Sequence, residues 1–226
     1  MILNDYRDLV LETPLFHLKG LDIPDQAHIY AKLEHLHPAG GIKDRFGVYA
    51  VDTLVSQGVI TPETVLIEAT AGNAGLGIAF GALRYHLKTL FVIPRKFSLE
   101  KQTLLRALGA IVINTPAESG IEGAIAKAQD LLKKIPHSLS LKQFESILNP
   151  EAYAHSIGPE IYHDLPTIDA FVTGAGSGGS FSGVSSYLKQ QNPLIQTILA
   201  DPVGSTLGGG RSGTYSIEGI GNHFIP

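Results

Sequence analysis

Cysteine is absent from this chain of 226 residues. With it go a disulfide framework, a thiolate zinc site and a cysteine nucleophile. Such a chain is compatible with a reducing, cytoplasmic setting. No apolar run is long enough to cross a bilayer, and the opening stretch, Met1 to Val10, is polar and acidic rather than a signal peptide. Positive charge is sparse and scattered: 17 Lys and Arg stand against 21 Asp and Glu, for a formal net charge of -4. That balance argues against a nucleic-acid surface. His, Asp and Glu nowhere fall in metal-site order; His155 and His163 share one predicted helix at i, i+8, which is not a ligand spacing, so no metal is expected. There is no internal repeat and no low-complexity tract. What the chain does have is glycine, 25 residues of it, in clusters where backbone can approach a ligand closely.

The length fits one large or two small domains and buries a core without staples. Strand and helix patterns alternate. Strands are expected at Leu15 to Leu18, Ile29 to Leu33, Thr64 to Ile67, Thr89 to Ile93, Ile111 to Ile113, Ala170 to Thr173 and Gln196 to Ala200. Helices are expected at Asp44 to Ser56, Leu76 to Tyr85, Ser98 to Leu108, around Ile121 to Leu132, at Pro150 to His163 with a break near Gly158-Pro159, and at Phe181 to Gln190. A short amphipathic piece, Tyr6 to Leu11, precedes them, and residues 137 to 149 read as irregular. The alternation means an α/β fold with largely parallel strands covered on both faces.

Three loops carry chemistry. His37-Pro38-Ala39-Gly40-Gly41-Ile42-Lys43-Asp44-Arg45 places a lysine in the first turn of a helix. The positive end of the helix dipole disfavours the ammonium there, which lowers the pKa of Lys43 from about 10.4. A neutral lysine amine is a nucleophile toward carbonyls; the plainer alternative is a surface lysine that happens to begin a helix. Thr70-Ala71-Gly72-Asn73-Ala74-Gly75 joins a strand to a helix, with backbone N–H groups suited to an anion; the alternative is a close-packed turn. Gly174-Ala175-Gly176-Ser177-Gly178-Gly179-Ser180 is a second strand-to-helix loop with the character of a phosphate cradle. It also satisfies G-x-G-x-x-G, with Asp201 about 20 residues beyond, as a ribose-binding acid would be. An NAD-binding oxidoreductase is therefore a rival reading, although it gives no role to Lys43 or to the Asn73 loop.

Taken together, these loops resemble the β-family, or fold type II, of pyridoxal-phosphate (PLP) enzymes, and within it cysteine synthase and cystathionine β-synthase. Family members read N-P-x-G-S-x-K-D-R where this chain has His37 to Arg45, and T-[SA]-G-N-T-G where it has Thr70 to Gly75. A Gln-Phe pair before Asn-Pro is matched by Gln143-Phe144 and Asn149-Pro150. The phosphate loop is matched by Gly176 to Ser180, and E-G-I-G-x-x-F-I-P by Glu218 to Pro226. Lys96 to Gln102 looks most like bacterial members that use O-acetylserine.

The resemblance implies two three-layer α/β domains. A larger, discontinuous one (1–44 and 149–226) would bind the cofactor phosphate, and a smaller one (45–148) the substrate carboxylate. It implies pyridoxal 5'-phosphate as cofactor, held by Lys43, which would also move the substrate α-proton. Asn73, Gly176, Ser177, Gly178, Gly179, Ser180 and Gly219 would bind the cofactor. Thr70, Ala71, Gly72, Asn73 and Gln143 would surround the substrate carboxylate. The implied reaction is β-replacement: acetate leaves O-acetylserine, an aminoacrylate forms, and sulfide or homocysteine adds to it. The implied partners are a small amino-acid substrate, a second copy in a homodimer, and the tail of a serine acetyltransferase, with neither nucleic acid nor membrane. Two departures stand out. Gly41 and Ala74 replace the family's Ser and Thr and remove two hydroxyls. Family chains also continue past Phe-Ile-Pro, so the larger domain is expected to be incomplete here. A degenerate relative serving as a binding protein is the alternative these departures raise.

Overall fold

The computed structural model describes residues 2, 6–10, 12–70 and 72–226. It divides into two compact units: Met1–Val10 with His37–Leu148, and Leu11–Leu36 with Asn149–Pro226. The first unit keeps the helix that begins at Lys43 together with its leading loop.

The first unit is built on a four-stranded parallel sheet. Its strands are β3 (Val65–Ala69), β4 (Lys88–Pro94), β5 (Ile111–Thr115) and β6 (Ser138–Leu139), in the order β5-β4-β3-β6. Near-continuous apolar runs such as Leu90 to Ile93 suit strands buried on both faces. Helix α4 (Gly120–Lys134) covers one face, with Ala124 and Ala128 seated on Ile67, Leu90 and Val92. Phe91, at the opposite parity along β4, lies under the start of α2 (Asn73–Leu83), where a Cβ on Gly75 would stand 3.3 Å from its ring. Helix α3 (Leu99–Ala107) begins at Ser98, whose hydroxyl accepts the Lys101 N–H at 3.3 Å, as its N-cap chemistry predicts.

Helix α1 (Lys43–Ser56) lies against α2 with almost no side chain between them. A Cβ on Gly47 would stand 2.0 Å from the Gly77 carbonyl oxygen, and one on Gly77 would stand 2.2 Å from the Lys43 carbonyl oxygen. Gly81 meets the Gly47 carbonyl in the same way. The pairs 43/77 and 47/81 advance together, so the two helices run in the same direction.

The second unit holds an antiparallel pair, β1 (Leu15–Leu18) and β2 (Ile29–Lys32), and a parallel pair, β7 (Ala170–Thr173) and β8 (Gln196–Leu199). Helices α5 (Leu148–Ala154), α6 (Ile157–Asp164) and α7 (Gly179–Gln191) bury Tyr153, Ile157, Ile161, Val184 and Leu188. The expected helix over 150–163 is two helices, and the break falls at His155–Ser156 rather than at Gly158-Pro159. Proline is tolerated in a first turn, where its missing N–H has no partner to lose, so Pro159 belongs to the start of α6. Residues 137–149 are less irregular than their composition suggests, for they hold β6 and the first turn of α5. The piece expected at Tyr6 to Leu11 is a short 3-10 helix over Tyr6–Val10; Leu11 lies outside the described residues. Among the described residues no helix is long and apolar enough to cross a membrane, and no three His, Cys, Asp or Glu cluster as metal ligands would.

Candidate active site

Of the candidate residues of the first unit, Lys43 and Asn73 stand at the N-terminal ends of α1 and α2. Lys43 is the first residue of α1. It is half-buried, and burial lowers its pKa from the ordinary 10.5 to about 8. The direction matches the sequence argument, but the cause is desolvation rather than the dipole. Asp44, buried behind it, accepts the Ala39 N–H at 2.7 Å and so ties the glycine loop to the helix. The close crossing of α1 and α2 brings Asn73 to this loop: a Cβ on Gly41 would stand 3.9 Å from the Asn73 side-chain nitrogen.

The strand-to-helix turn before α2 is organised by Thr70. Its buried hydroxyl accepts the N–H groups of Gly72 at 3.1 Å and Gly75 at 3.2 Å. Gly72 sits at φ +148, and a Cβ there would overlap the Lys101 side chain at 2.4 Å, so the position is reserved for glycine. Thr70 is thus the side chain that caps the first turn of α2, where no acid stands. Ala71 lies outside the described residues. Gln143 is half-buried and follows Lys142, a non-glycine residue at φ +50.

The second unit carries the glycine loop. Gly178 adopts the left-handed conformation at the start of α7, which has neither a side-chain cap nor an acid in its first turn. Its N–H groups are the anion-binding element of such a helix start. Asn149 buttresses the loop from beneath. Buried on α5, it donates Nδ2–H to Ser177 Oγ at 3.0 Å, and a Cβ on Gly179 would stand 2.2 Å from its Oδ1. The segment around Gly219 closes on the same loop. A Cβ on Gly176 would stand 2.6 Å from the Gly219 carbonyl oxygen, Gly221 N–H donates to the Ala175 carbonyl at 2.7 Å, and Asn222 Nδ2–H to that of Gly176 at 3.3 Å. The structure thus joins Gly219 to Gly176–Ser180 within one unit. The glycines have a physical reason there: backbone and buried amide occupy the space a side chain would need. Asp201, which the dinucleotide reading made a ribose ligand, accepts the Gly208 N–H at 2.8 Å instead.

Each unit presents its own set of donors. In the first unit burial lowers the Lys43 pKa to about 8, toward the range in which an amine can meet a carbonyl; in the second, the α7 start offers N–H groups with no acid in its first turn, as an anion requires. Sequence reasoning did not assign Asn149, Asn222 or Glu68 to the site. A polar residue inside an apolar stretch, as Glu68 is in Val65–Ala69, was the available signal.

The family model described as pyridoxal-phosphate dependent enzyme matches residues 6–225. The chain belongs to that family, a class of PLP-dependent α/β enzymes. Within it, the chain is 49% identical to a cysteine synthase of Helicobacter pylori, over all of this chain and 75% of the relative. It is 45% identical to an O-acetylserine dependent cystathionine beta-synthase of Bacillus subtilis, over all of this chain and 74% of that one. The crystal structure of O-acetylserine dependent cystathionine beta-synthase from Helicobacter pylori superposes with a TM-score of 0.94 at 49% identity, covering all of this chain and 75% of that one. A hydrogen sulfide-producing enzyme of Fusobacterium nucleatum superposes with a TM-score of 0.93 at 34% identity, covering all of this chain and 76% of its own.

Proposed function

We propose that this chain performs β-replacement on O-acetylserine, releasing acetate and adding sulfide or homocysteine to give cysteine or cystathionine. Pyridoxal 5'-phosphate, when bound, supplies the electron sink for the bonds broken at the substrate Cα and Cβ. Lys43 Nζ holds the cofactor and moves the α-proton. A pKa of about 8 keeps a substantial neutral fraction of this amine near physiological pH, as both tasks require. Asn73 Nδ2–H would donate to an oxygen of the cofactor. The N–H groups of Gly176, Ser177, Gly178, Gly179 and Ser180 and the Ser hydroxyls take its phosphate, with Gly219 beside them. Thr70, Ala71, Gly72, Asn73 and Gln143 receive the substrate carboxylate. Because Thr70 Oγ1 already accepts two backbone N–H groups, it meets that carboxylate as a donor.

The observation that carries this reading is the half-buried Lys43, its pKa lowered by burial, at the head of a helix pressed against the one that Asn73 begins. The test is trapping. Protein incubated with PLP and reduced with borohydride should gain one pyridoxyl phosphate on the peptide containing Lys43, and Lys43→Ala should gain none. Labelling that persists in Lys43→Ala refutes the assignment. A second reading rests on Gly41 and Ala74: the chain keeps the fold and cofactor but serves as a binding protein. Each lost hydrogen bond to a charged group is worth about 1.5–3 kcal/mol. Trapped cofactor without acetate release from O-acetylserine would establish that reading; acetate release with sulfide or homocysteine consumption excludes it.

A further inference from the structure

Strand β6 is two residues long, and its ladder to β3 ends at the pair Leu66↔Leu139. β3 runs on to Ala69, paired with β4 on its other side. Beyond Leu139 the next donors turn to the Glu68 carboxylate, with the Lys142 N–H shared between it and Ser140 Oγ at 3.2 Å. Glu68 Oε1 accepts from Ser140 Oγ at 2.9 Å, from the Leu141 N–H, and from the Lys142 N–H at 3.2 Å. The Glu68 residue is 8% exposed. Its carboxylate thus takes over from a backbone ladder that stops too early. Burial pushes the Glu68 carboxyl up from its usual range against the pull of these three donors. Desolvation alone would favour an apolar side chain here.

The place of this clip in the chain is informative. Glu68 precedes Thr70 by two residues, and Lys142 immediately precedes Gln143. Lys142 holds φ +50, a conformation that a lysine keeps only where its surroundings enforce it. One carboxylate therefore joins the end of the strand that leads into the Thr70 turn to the segment that presents Gln143.

We propose that Glu68 is a positioning residue for the amino-acid substrate: by clamping the amides of Leu141 and Lys142, it holds Gln143 in register with the Thr70 turn, so that both meet one α-carboxylate. This rests on the reading of those two residues given under Proposed function. A purely structural staple would tighten the unit without discriminating between ligands. A positioning clip acts on ligands that carry a carboxylate.

The experiment compares wild type, Glu68→Ala, Glu68→Gln and Glu68→Asp, each loaded with PLP. Each is titrated with L-alanine, which has the α-carboxylate and no leaving group, and with L-alaninamide, which lacks the carboxylate. One hydrogen bond to a charged carboxylate is worth about one to two decades of affinity, so Glu68→Ala should weaken L-alanine binding by about 10- to 100-fold. Binding of PLP and of L-alaninamide should change by less than about threefold, well under 1 kcal/mol. Glu68→Gln keeps an acceptor oxygen and should recover most of the affinity. Amide hydrogen exchange at Leu141 and Lys142 should quicken in Glu68→Ala. Faster exchange with unchanged L-alanine affinity, or equal losses for L-alanine and L-alaninamide, overturns the proposal. Should Glu68→Ala fail to fold, Glu68→Asp decides: its carboxylate is shorter by one methylene, and undiminished L-alanine binding overturns the proposal equally. A wild type that takes up no PLP refutes the parent reading; normal wild-type binding with indifferent variants refutes only the role of Glu68.

Discussion

Replacing Gly77 by alanine should destabilise the unit that carries Lys43, although alanine is the better helix former. Two effects compete. Alanine gains about 1 kcal/mol over glycine in a helix interior. Against this, the new Cβ would stand 2.2 Å from the Lys43 carbonyl oxygen and 2.9 Å from the Asp44 nitrogen. Both are backbone atoms of α1, so no rotamer change relieves the overlap and the helices must move apart. Overpacking a filled interior costs typically about 1–3 kcal/mol, and contact with rigid backbone puts this case at the upper end. The net loss is then about 2 kcal/mol, and at about 2–4 °C per kcal/mol for a chain of this size the melting temperature should fall by about 4–8 °C. Gly47→Ala strikes the same crossing from the other side, 2.0 Å from the Gly77 carbonyl oxygen. Once the helices have separated, the second substitution finds part of its room already made. The double variant should therefore lose less than the two singles together, by at least about 0.5 kcal/mol. Because Lys43 rides on the displaced backbone, borohydride trapping of PLP should also slow in Gly77→Ala. Thermal unfolding and a trapping time course are the assays. An unchanged or raised melting temperature, or strict additivity in the double variant, would refute the close crossing.

Lys43 makes stability depend on pH. Its pKa is about 8 in the folded chain against an ordinary 10.5, so between those values the unfolded state binds the proton and the folded state does not. Stability must then rise with pH across that window. Denaturant midpoints of the cofactor-free protein should climb more steeply there in wild type than in Lys43→Met, and equal slopes would contradict the burial. Asn149→Ala removes the amide that supports Ser177; at about 1–3 kcal/mol for a buried group left unsatisfied, PLP affinity should fall by roughly tenfold or more, and an unchanged dissociation constant would show that the loop holds itself. In the second unit, Lys32 Nζ lies 2.7 Å from Glu160 Oε2, with side chains 10% and 14% exposed. Glu160→Met alone leaves an ammonium out of water without its carboxylate and should cost about 3 kcal/mol; Glu160→Met with Lys32→Met should cost less, and a double variant worse than the single would overturn this.

Much of the scaffold is legible in the residues. β4 and α2 are plain because apolar runs and glycine punctuation act over a few neighbouring positions. Lys43 is equally legible as a candidate nucleophile, since its place at a helix start follows from the pattern around it. By local rule Gly158-Pro159 reads as a stop and sets the expected break between α5 and α6 too late, whereas proline suits a first turn. β6 is not legible in the sequence because two residues carry no periodicity. Its strand character comes from pairing with β3, more than seventy residues earlier in the chain.

By itself, then, the order of residues determined the α/β class, the positions of the glycine loops and the identity of Lys43 as the nucleophile to consider. Those depend on local backbone preference and on chemistry that one side chain carries wherever it is placed. Only the tertiary structure decided that Lys43 loses its proton readily through burial, that Gly47 and Gly77 let two helix backbones touch, that Asn149 stands beneath the glycine loop, and that Glu68 reaches the amides beside Gln143. Each is a contact between residues distant in sequence, and desolvation or steric exclusion exists only once folding has brought such residues together.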